Sequence, residues 1–352
     1  MKVNSTYLVL FCLGLFISDG YANPKASIIL GAPTDSSIMI NVLFISELPQ
    51  SFYLEYGISS GNYSKQTDTV VSPKIDEPII QKLTGLSENT RYFYRLVFDD
   101  STSSDEYSFC TRKLPGNEFS FVVQADPHFD PRLVSHSRDQ YAQIQNPPYD
   151  HDPGIWMAAS QNIIDFYPTM AKDGKTCGYG DNTNDYYSNK APDFLIDLGD
   201  TFMVEKVIAN HYYSDNDIDK TNGVFDFNDV NYCYEYVRNQ FFSLVAHSVP
   251  IFLVTGNHEA EMGKLWNSKD TTSKNLALWS VLSRRQFFLN PIPDGLFYTG
   301  SKTIDTFDNS IRDTWFSWKW GNSQFIILDP YWYSTKNSNQ EGGWAFTLGS
   351  EQ

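Results

Sequence analysis

Three short apolar runs in this chain each stop at residues that can bind a metal ion, and this pattern restricts the fold more than any other feature of the sequence. The runs are 119–123, 194–198 and 251–254, and they are followed by Asp126 and His128, by Asp200, and by Gly256-Asn257-His258-Glu259. Short β-branched or aromatic runs that end in a polar loop predict buried strands. Functional sites of layered α/β folds lie just beyond the carboxyl ends of the strands. We therefore expect the three loops to converge on one point.

Composition and charge indicate a folded, β-rich protein that does not bind nucleic acid. The 352 residues are enough for two domains of about 150 residues each. A content of 41% hydrophobic and 16% aromatic residues argues against a disordered chain. The formal net charge of −16 argues against a nucleic-acid partner, because phosphate backbones are bound through basic patches. Small phosphate esters stay possible substrates, since bound metal ions can dominate the local field.

The N-terminus resembles a secretory signal. Lys2 precedes the apolar run 7–17, and small residues at Gly20 and Ala22 suit cleavage after residue 22. The run is shorter than the roughly 20 residues that cross a bilayer, which favours a signal peptide (1–22) over a membrane anchor. We expect a secreted or exported protein, in an extracellular, periplasmic or endomembrane compartment, without a stable membrane anchor. The sequence does not indicate an oligomeric state.

Export would place the remaining cysteines, Cys110, Cys177 and Cys233, in an oxidising compartment. Their odd number allows at most one bridge, and the pairing is open. Without a CxxC pair, a structural role is favoured over a zinc or redox site. Asn62-Tyr63-Ser64 is the one glycosylation sequon of the mature region, and it matters only in a eukaryotic host.

Residues 23–113 are predicted to form an all-β sandwich. Apolar alternation at Tyr92, Tyr94, Leu96 and Phe98 puts one face of a strand into a core. The segment 83–95 resembles the turn and penultimate strand of fibronectin type III modules, although any antiparallel hairpin would show similar alternation. The candidate strands are 27–30, 38–45, 52–57, 79–83, 92–98 and 106–111.

Residues 114–352 are predicted to form an α/β domain after a compact linker at 114–117. Strand and helix patterns alternate along this part, which is typical of layered α/β folds. The helix candidates are 155–166, 225–246 and 276–288, and later strand-like segments are 297–298, 315–320 and 325–329.

The polar residues behind the three runs suit a pair of metal ions. Asp126 and His128 project to the same side of an extended segment, so both can bind one ion. Asp200 can bridge two ions with its carboxylate, and Asn257 offers a neutral oxygen to a second ion. His258 is then placed to protonate a leaving group, and the Glu259 carboxylate to orient a neighbouring group.

Taken in order, these motifs resemble the calcineurin-like metallophosphoesterases, and the leading module is similar to the N-terminal domain of purple acid phosphatase relatives. The resemblance implies a four-layer α/β/β/α fold and hydrolysis of phosphate mono- or diesters, small-molecule substrates, by a metal-bridged hydroxide. It implies two divalent or transition metal ions, iron, manganese or zinc. The implied roles are Asp126 and His128 on the first metal, Asp200 bridging, Asn257 on the second metal, and His258 as proton donor.

The sequence departs from this family in ways that favour a second hypothesis. His128 and Met203 stand where purple acid phosphatases carry Gly and a Tyr ligand, so a purple iron site is not expected. No histidine follows His258, whereas the family supplies three later histidine ligands. The α/β domain is therefore expected to be incomplete at its C-terminus. The alternative function is a catalytically deficient truncated or degenerate homologue that acts as a secreted binding or interaction protein.

Other polar residues are assigned structural roles. Asp before Pro, Gly-Asp and single histidines are common in ordinary loops, so each motif alone indicates little. Asp329 ends a predicted strand, where a supporting role is favoured over direct metal binding. His136, His151, His211 and His247 are expected at the surface or in packing, although His211, beside two tyrosines, could line a substrate cleft.

Overall fold

The computed structural model describes residues 25–128, 192–202, 204, 226–335, 348 and 352. No helix within these ranges is long and apolar enough to cross a bilayer. Several predictions fall outside the described residues and stay predictions: the signal peptide (1–22), the helix at 155–166, Met203, His136, His151, His211 and Cys177. Cys110 is disulfide-bonded, whereas the buried Cys233 carries a thiol that donates to the carbonyl of Asp229.

The N-terminal part consists of eight antiparallel strands in two sheets, which confirms the prediction of a β-rich N-terminal module. One sheet has the order β1-β2-β6 and the other β4-β3-β7-β8, with β5 paired to β3. All six strands predicted from the sequence are present. The strands are β1 Lys25–Gly31, β2 Ser37–Ser46, β3 Ser51–Gly57, β4 Lys65–Gln66, β5 Val70–Val71, β6 Ile79–Thr84, β7 Arg91–Phe98 and β8 Tyr107–Cys110.

The alternation predicted for β7 is confirmed. Tyr92, Tyr94, Leu96 and Phe98 are each at most 4% exposed, and they pack in one cluster with Phe44 of β2. Alternate residues of a strand point to one face, so this single face supplies much of the sandwich core.

The three predicted strands behind the polar loops form one parallel sheet, in the order β9-β10-β11. These strands are β9 Phe121–Gln124, β10 Phe194–Asp197 and β11 Ile251–Leu253. All four residues of the central strand β10 are buried, as is typical of a parallel strand covered on both faces. The polar loops therefore leave the same edge of the sheet.

Helical segments cover one face of the parallel sheet. Leu195, Ile251 and Leu253 pack in one cluster with Val230 and Tyr234 of the first helix. That helix begins at Asp226, whose side chain accepts from the backbone in a capping box. The segments are α1 Phe227–Val237, a π-helical turn at Arg238–Phe242, α2 Ser243–Ala246, α3 Gly263–Trp266 and α4 Thr271–Phe287, which confirms the predicted helices around 225–246 and 276–288.

A second, antiparallel sheet covers the other face. Phe194 and Phe252 of the parallel sheet pack against Phe316, Trp318 and Trp320. The sheet has the order β12-β13-β14. Its strands are β12 Thr299–Gly300, β13 Phe316–Trp320 and β14 Ser323–Ile327. The described residues thus show helices, parallel sheet and antiparallel sheet stacked in that order.

Arg238 joins the sandwich to the helical layer. Its guanidinium is fully buried and donates to the Oγ and carbonyl of Ser27, to the Oδ1 and carbonyl of Asn41, and to the carbonyl of Phe287, over 2.7–3.1 Å. The hydroxyl of Tyr94 also donates to the carbonyl of His247 at 2.6 Å. A buried, planar set of donors fixes position more strictly than apolar contact does. The two parts are therefore locked together by directional bonds.

We predict that Arg238→Met lowers the free energy of unfolding by about 3–5 kcal/mol, because it leaves buried acceptors of the sandwich without donors. Urea denaturation followed by tryptophan fluorescence measures this loss. Arg112→Met is the matched control. Its ion pair with Glu88 is partly exposed, so its loss is expected to stay below about 1 kcal/mol. Equal losses for the two variants would contradict the assignment.

His247 is predicted to make the stability depend on pH. Burial lowers the pKa of its ring to about 4, below the unfolded value of about 6.5. The folded protein thus holds the neutral ring, and the stabilisation present above pH 6.5 is lost as the pH falls towards 4. The ring keeps some solvent contact, so we expect a loss of about 2 kcal/mol. Unfolding measured at both ends of this range should show a smaller loss in His247→Gln; an unchanged loss would exclude the histidine as its source.

Candidate metal centre

The loops behind β9 and β10 are joined by backbone hydrogen bonds. The Asp126 N–H donates to the Gly199 carbonyl at 3.1 Å, and the His128 N–H donates to the Asp200 carbonyl at 3.0 Å. The third loop joins them through the His258 N–H, which donates to Oδ1 of Asp200 at 2.9 Å. The predicted convergence of the three loops is confirmed.

Two glycines allow the loops behind β10 and β11 to touch. A Cβ at Gly199 would lie 2.3 Å from the Gly256 nitrogen, and a Cβ at Gly256 would lie 2.3 Å from both the nitrogen and Oδ1 of Asp200. Real Cβ atoms do not approach other heavy atoms so closely, so any side chain here would push the loops apart.

Three of the predicted metal-binding residues have left-handed backbone conformations. The φ angles are 51° at Asp126, 49° at His128 and 56° at Asp200, so the prediction that Asp126 and His128 lie on an extended segment is wrong. Such angles are uncommon outside glycine, and strained residues of this kind cluster at functional sites. The loop geometry is thus held by its surroundings against the local preference of the chain.

His128, Asp200 and His258 meet at one point. Their potential ligand atoms all lie within 4.8 Å of one another. The Nε2 atoms of His128 and His258 lie 3.8 and 4.0 Å from Oδ2 of Asp200, and the two rings are nearly perpendicular at a centroid distance of 5.2 Å. Ligand bonds of about 2.0–2.2 Å let one ion join atoms up to about 4 Å apart. These imidazole and carboxylate groups therefore fit a divalent transition metal ion.

Asp126, another predicted ligand, lies at the edge of this cluster. The side chain of Asp126 is 65% exposed, and its Oδ1 lies 3.8 Å from Nε2 of His128. Asn257 is partly exposed and sits in the loop between Gly256 and His258. Their roles as metal ligands stay predictions.

Glu259 joins the loops behind β10 and β11 by hydrogen bonds to their backbones. Its buried carboxylate accepts from the backbone N–H groups of Asp200 at 3.0 Å, Thr201 at 2.5 Å, Phe202 at 3.3 Å and Gly256 at 2.6 Å. Burial raises the pKa of this carboxyl to about 7, while the N–H donors oppose the rise. The prediction that Glu259 orients neighbouring groups is confirmed.

The sequence patterns missed two residues around the centre. Asp197, fully buried at the end of β10, accepts from the N–H of Gly199 at 2.9 Å and the hydroxyl of Thr201 at 2.5 Å. The sequence signal that could have identified Asp197 is a carboxylate within an apolar run. Burial raises the pKa of the Tyr331 hydroxyl to about 12, and the negative charge of Asp200 adds to the rise.

Asp329 supports the loop that carries Tyr331. Its buried carboxylate accepts from the hydroxyl of Thr314 at 2.5 Å and from the backbone N–H groups of Tyr331 and Trp332 at 2.9 and 3.0 Å. The predicted supporting role of Asp329 is confirmed.

Comparison with known proteins gives a structural likeness and no sequence match. No family model matches the chain, and no curated protein matches it. The structure is similar to that of PhoD, with a TM-score of 0.50 and 12% identity over 89% of this chain and 53% of PhoD. The chain thus spans about half the length of PhoD. At this identity the likeness shows a shared fold alone.

Two further likenesses are too weak to support an inference. The sensor domain of the anti-sigma factor RsgI4 from Pseudobacteroides cellulosolvens has 16% identity and a TM-score of 0.23, over 25% of this chain and 74% of that one. The chicken CNTN1 FN1-FN3 domains have 18% identity and a TM-score of 0.21, over 26% of this chain and 32% of that one.

We predict that Glu259→Gln destabilises the protein by about 2–4 kcal/mol, because an amide nitrogen would replace one oxygen and face two backbone N–H donors. Urea denaturation measures the loss. Glu88→Gln changes a partly exposed carboxylate and serves as the control, with an expected change below about 1 kcal/mol. A loss in Glu259→Gln as small as in the control would show that the carboxylate does not hold the loops.

Proposed function

We propose that this protein is a metal-dependent phosphoesterase that hydrolyses phosphate mono- or diesters. The observation that carries the proposal is the meeting of His128, Asp200 and His258 within 4.8 Å at the carboxyl edge of a parallel sheet. The fold shared with PhoD supports it. A small-molecule phosphate ester is the proposed substrate, and an exported location is proposed from the N-terminal sequence.

The proposed architecture is the four-layer α/β/β/α fold of the calcineurin-like enzymes behind a fibronectin-like sandwich, divided at residues 113 and 114. Three stacked layers support it: the α1 helix side, the parallel sheet and the antiparallel sheet. The second helical layer is part of the proposal.

The proposed roles are those that the sequence motifs imply. Asp126 and His128 would hold one ion, Asp200 would lie between two, and Asn257 would reach the second; iron, manganese and zinc all suit these ligands. Such ions supply Lewis acidity and an activated water. Asp200 and Glu259 fix the loop that carries His258 through backbone hydrogen bonds. We assign His258 the transfer of a proton to the leaving oxygen, a role that requires its imidazole to be free of the ions.

A second candidate is a catalytically deficient homologue that binds its partner without hydrolysis. The observation that favours it is the exposure of Asp126, a predicted ligand whose side chain is 65% exposed and lies outside the group of His128, Asp200 and His258. A ligand that stays outside the site would weaken metal binding. Metal content and hydrolysis measured together separate the two candidates.

We predict that the purified protein binds at least one divalent metal ion per chain and hydrolyses 4-nitrophenyl phosphate or bis(4-nitrophenyl) phosphate. Asp200→Ala should lower both metal content and hydrolysis, the latter at least about 100-fold. Elemental analysis and absorbance assays measure these changes. Asp68→Ala, at an exposed position of the sandwich, should change neither. Less than one ion per chain together with hydrolysis equal to that of Asp200→Ala would reject the enzyme in favour of the binding protein.

We also predict a dependence on the leaving group. A poor leaving group needs a proton more than a good one does, so His258→Ala should slow hydrolysis of phenyl phosphate about 100-fold and that of 4-nitrophenyl phosphate about tenfold or less. The kcat values of both esters at saturating metal provide the measurement. Equal losses for both esters would assign His258 to ion or phosphate binding instead of proton donation.

A further inference from the structure

The turn between β3 and β4 carries a sequence motif that the proposed phosphoesterase function does not use. Asn62-Tyr63-Ser64 is the one glycosylation sequon of the mature region, and oligosaccharides are attached to such motifs on surface loops of secreted proteins. Asn62 and Ser64, the two residues that attachment requires, are both exposed, whereas Tyr63 between them is partly buried. The folded chain therefore presents both required residues to solvent.

Backbone contacts close this turn. The Asn62 N–H donates to the Ser59 carbonyl at 3.0 Å. A Cβ at Gly57 would lie 2.2 Å from the Asn62 carbonyl oxygen, so the chain packs backbone to backbone where it enters and leaves the turn. The backbone of Asn62 is thus fixed close to the end of β3.

Glu106 binds the turn through its side chain. The carboxylate accepts from the Ser60 hydroxyl at 2.6 Å, from the Gly61 N–H at 2.7 Å and from the Tyr63 hydroxyl. The Arg95 guanidinium lies 4.8 Å from the centroid of the Tyr63 ring. In contrast, no hydrogen bond joins the Asn62 carboxamide to any residue that the structure describes. Attachment of a sugar at this nitrogen therefore breaks none of the contacts that hold the turn.

Asn62 lies next to an edge of the sandwich. The strand β4, which begins at Lys65, is the end strand of the sheet β4-β3-β7-β8, and within the described residues it pairs with β3 alone. Ile58, in the same turn as Asn62, is 61% exposed. At the opposite end of the sheet, the Ser108 N–H of β8 donates to the hydroxyl of Ser248 at 3.4 Å. An unpaired edge beside an exposed apolar side chain favours association with other chains, so the β4 edge benefits from a cover.

We propose that Asn62 is the attachment site of an N-linked oligosaccharide that covers Ile58 and the edge strand β4. This rests on the exported location proposed above and does not depend on the phosphoesterase function. In the transfer, Nδ2 of Asn62 attacks the anomeric carbon of an oligosaccharide carried on a lipid pyrophosphate. The new C–N bond replaces the C–O bond to the pyrophosphate, which leaves with the bonding electron pair, and the amide nitrogen loses one proton. A bulky, solvated glycan at this position hinders the addition of a further strand to β4.

Expression of the full chain in a eukaryotic secretory host tests the attachment. The secreted protein should lose mass on treatment with peptide-N-glycosidase, and peptide mass spectrometry should locate the glycan on Asn62. Asn62→Gln and Ser64→Ala should each abolish this mass loss, whereas Ser64→Thr, which keeps a hydroxyl, should retain it. Asn117→Gln is the matched control, because Asn117 is an exposed asparagine outside any sequon, and it should leave the mass loss unchanged. Secreted protein without a glycan on Asn62 would overturn the proposal.

A second expression keeps the attachment test separate from export by the native signal. If the host retains the full chain, residues 1–22 are replaced by the host's own signal peptide, and the same mass loss is expected. Metal content and phosphate ester hydrolysis enter neither measurement, so a failure of the phosphoesterase proposal would leave both results interpretable.

Light scattering of the concentrated protein tests the covering role. Removal of the glycan from the folded protein should increase scattering, because Ile58 and the β4 edge become accessible to other chains. Ile58→Ser should reduce this increase, since it replaces the exposed apolar side chain with a polar one. Circular dichroism would verify that the variant is folded. Scattering that does not change when the glycan is removed would overturn the covering role.

Discussion

The candidate site depends on one buried carboxylate, that of Glu259, which accepts from four backbone N–H groups on two loops. Water cannot reach the backbone N–H groups at a buried loop junction, so they need another hydrogen-bond acceptor. The Glu259 carboxylate supplies it and so offsets the free-energy cost of burying these donors. Gly199 and Gly256 bring the loops into van der Waals contact, and Glu259 satisfies the donors that this contact buries. The left-handed backbone at Asp200 is then held by two hydrogen bonds: its own N–H donates to Glu259, and the His258 N–H donates to its side chain. His258 and Asp200 inherit their positions from this arrangement.

Much of this could be predicted from local sequence, because the signals are local. Strand-length apolar runs fix β9, β10 and β11, and a parallel sheet then brings Asp200 and His258 to one edge. Alternation fixes β7 in the same way. Those patterns depend on chain periods that hold whatever the rest of the molecule does. The orienting role of Glu259 could also be predicted, because this residue directly follows the Asn257-His258 pair.

Other features depend on contacts between segments that lie far apart in the chain, and no local sequence pattern predicts them. Arg238 reaches Ser27 and Asn41 across about 200 positions of the chain. A cavity beside Trp266 is lined by Phe307 and Trp332, which come from separate loops. Asp197 was hidden within an apolar run. Periodicity predicts which face of an element is apolar, but not which distant element covers it.

The hydrogen bonds of Arg238 also restrict which substitutions the protein can accept during evolution. A sandwich joined only by a flexible tether could be exchanged, duplicated or lost without harm to its neighbour. Here the guanidinium fits the side chain of one serine and one asparagine and the backbone beside them. A foreign sandwich would have to present the same acceptors in the same places. The two halves are thus expected to vary together, so that a substitution at Ser27 or Asn41 is tolerated only with a matching change at the arginine.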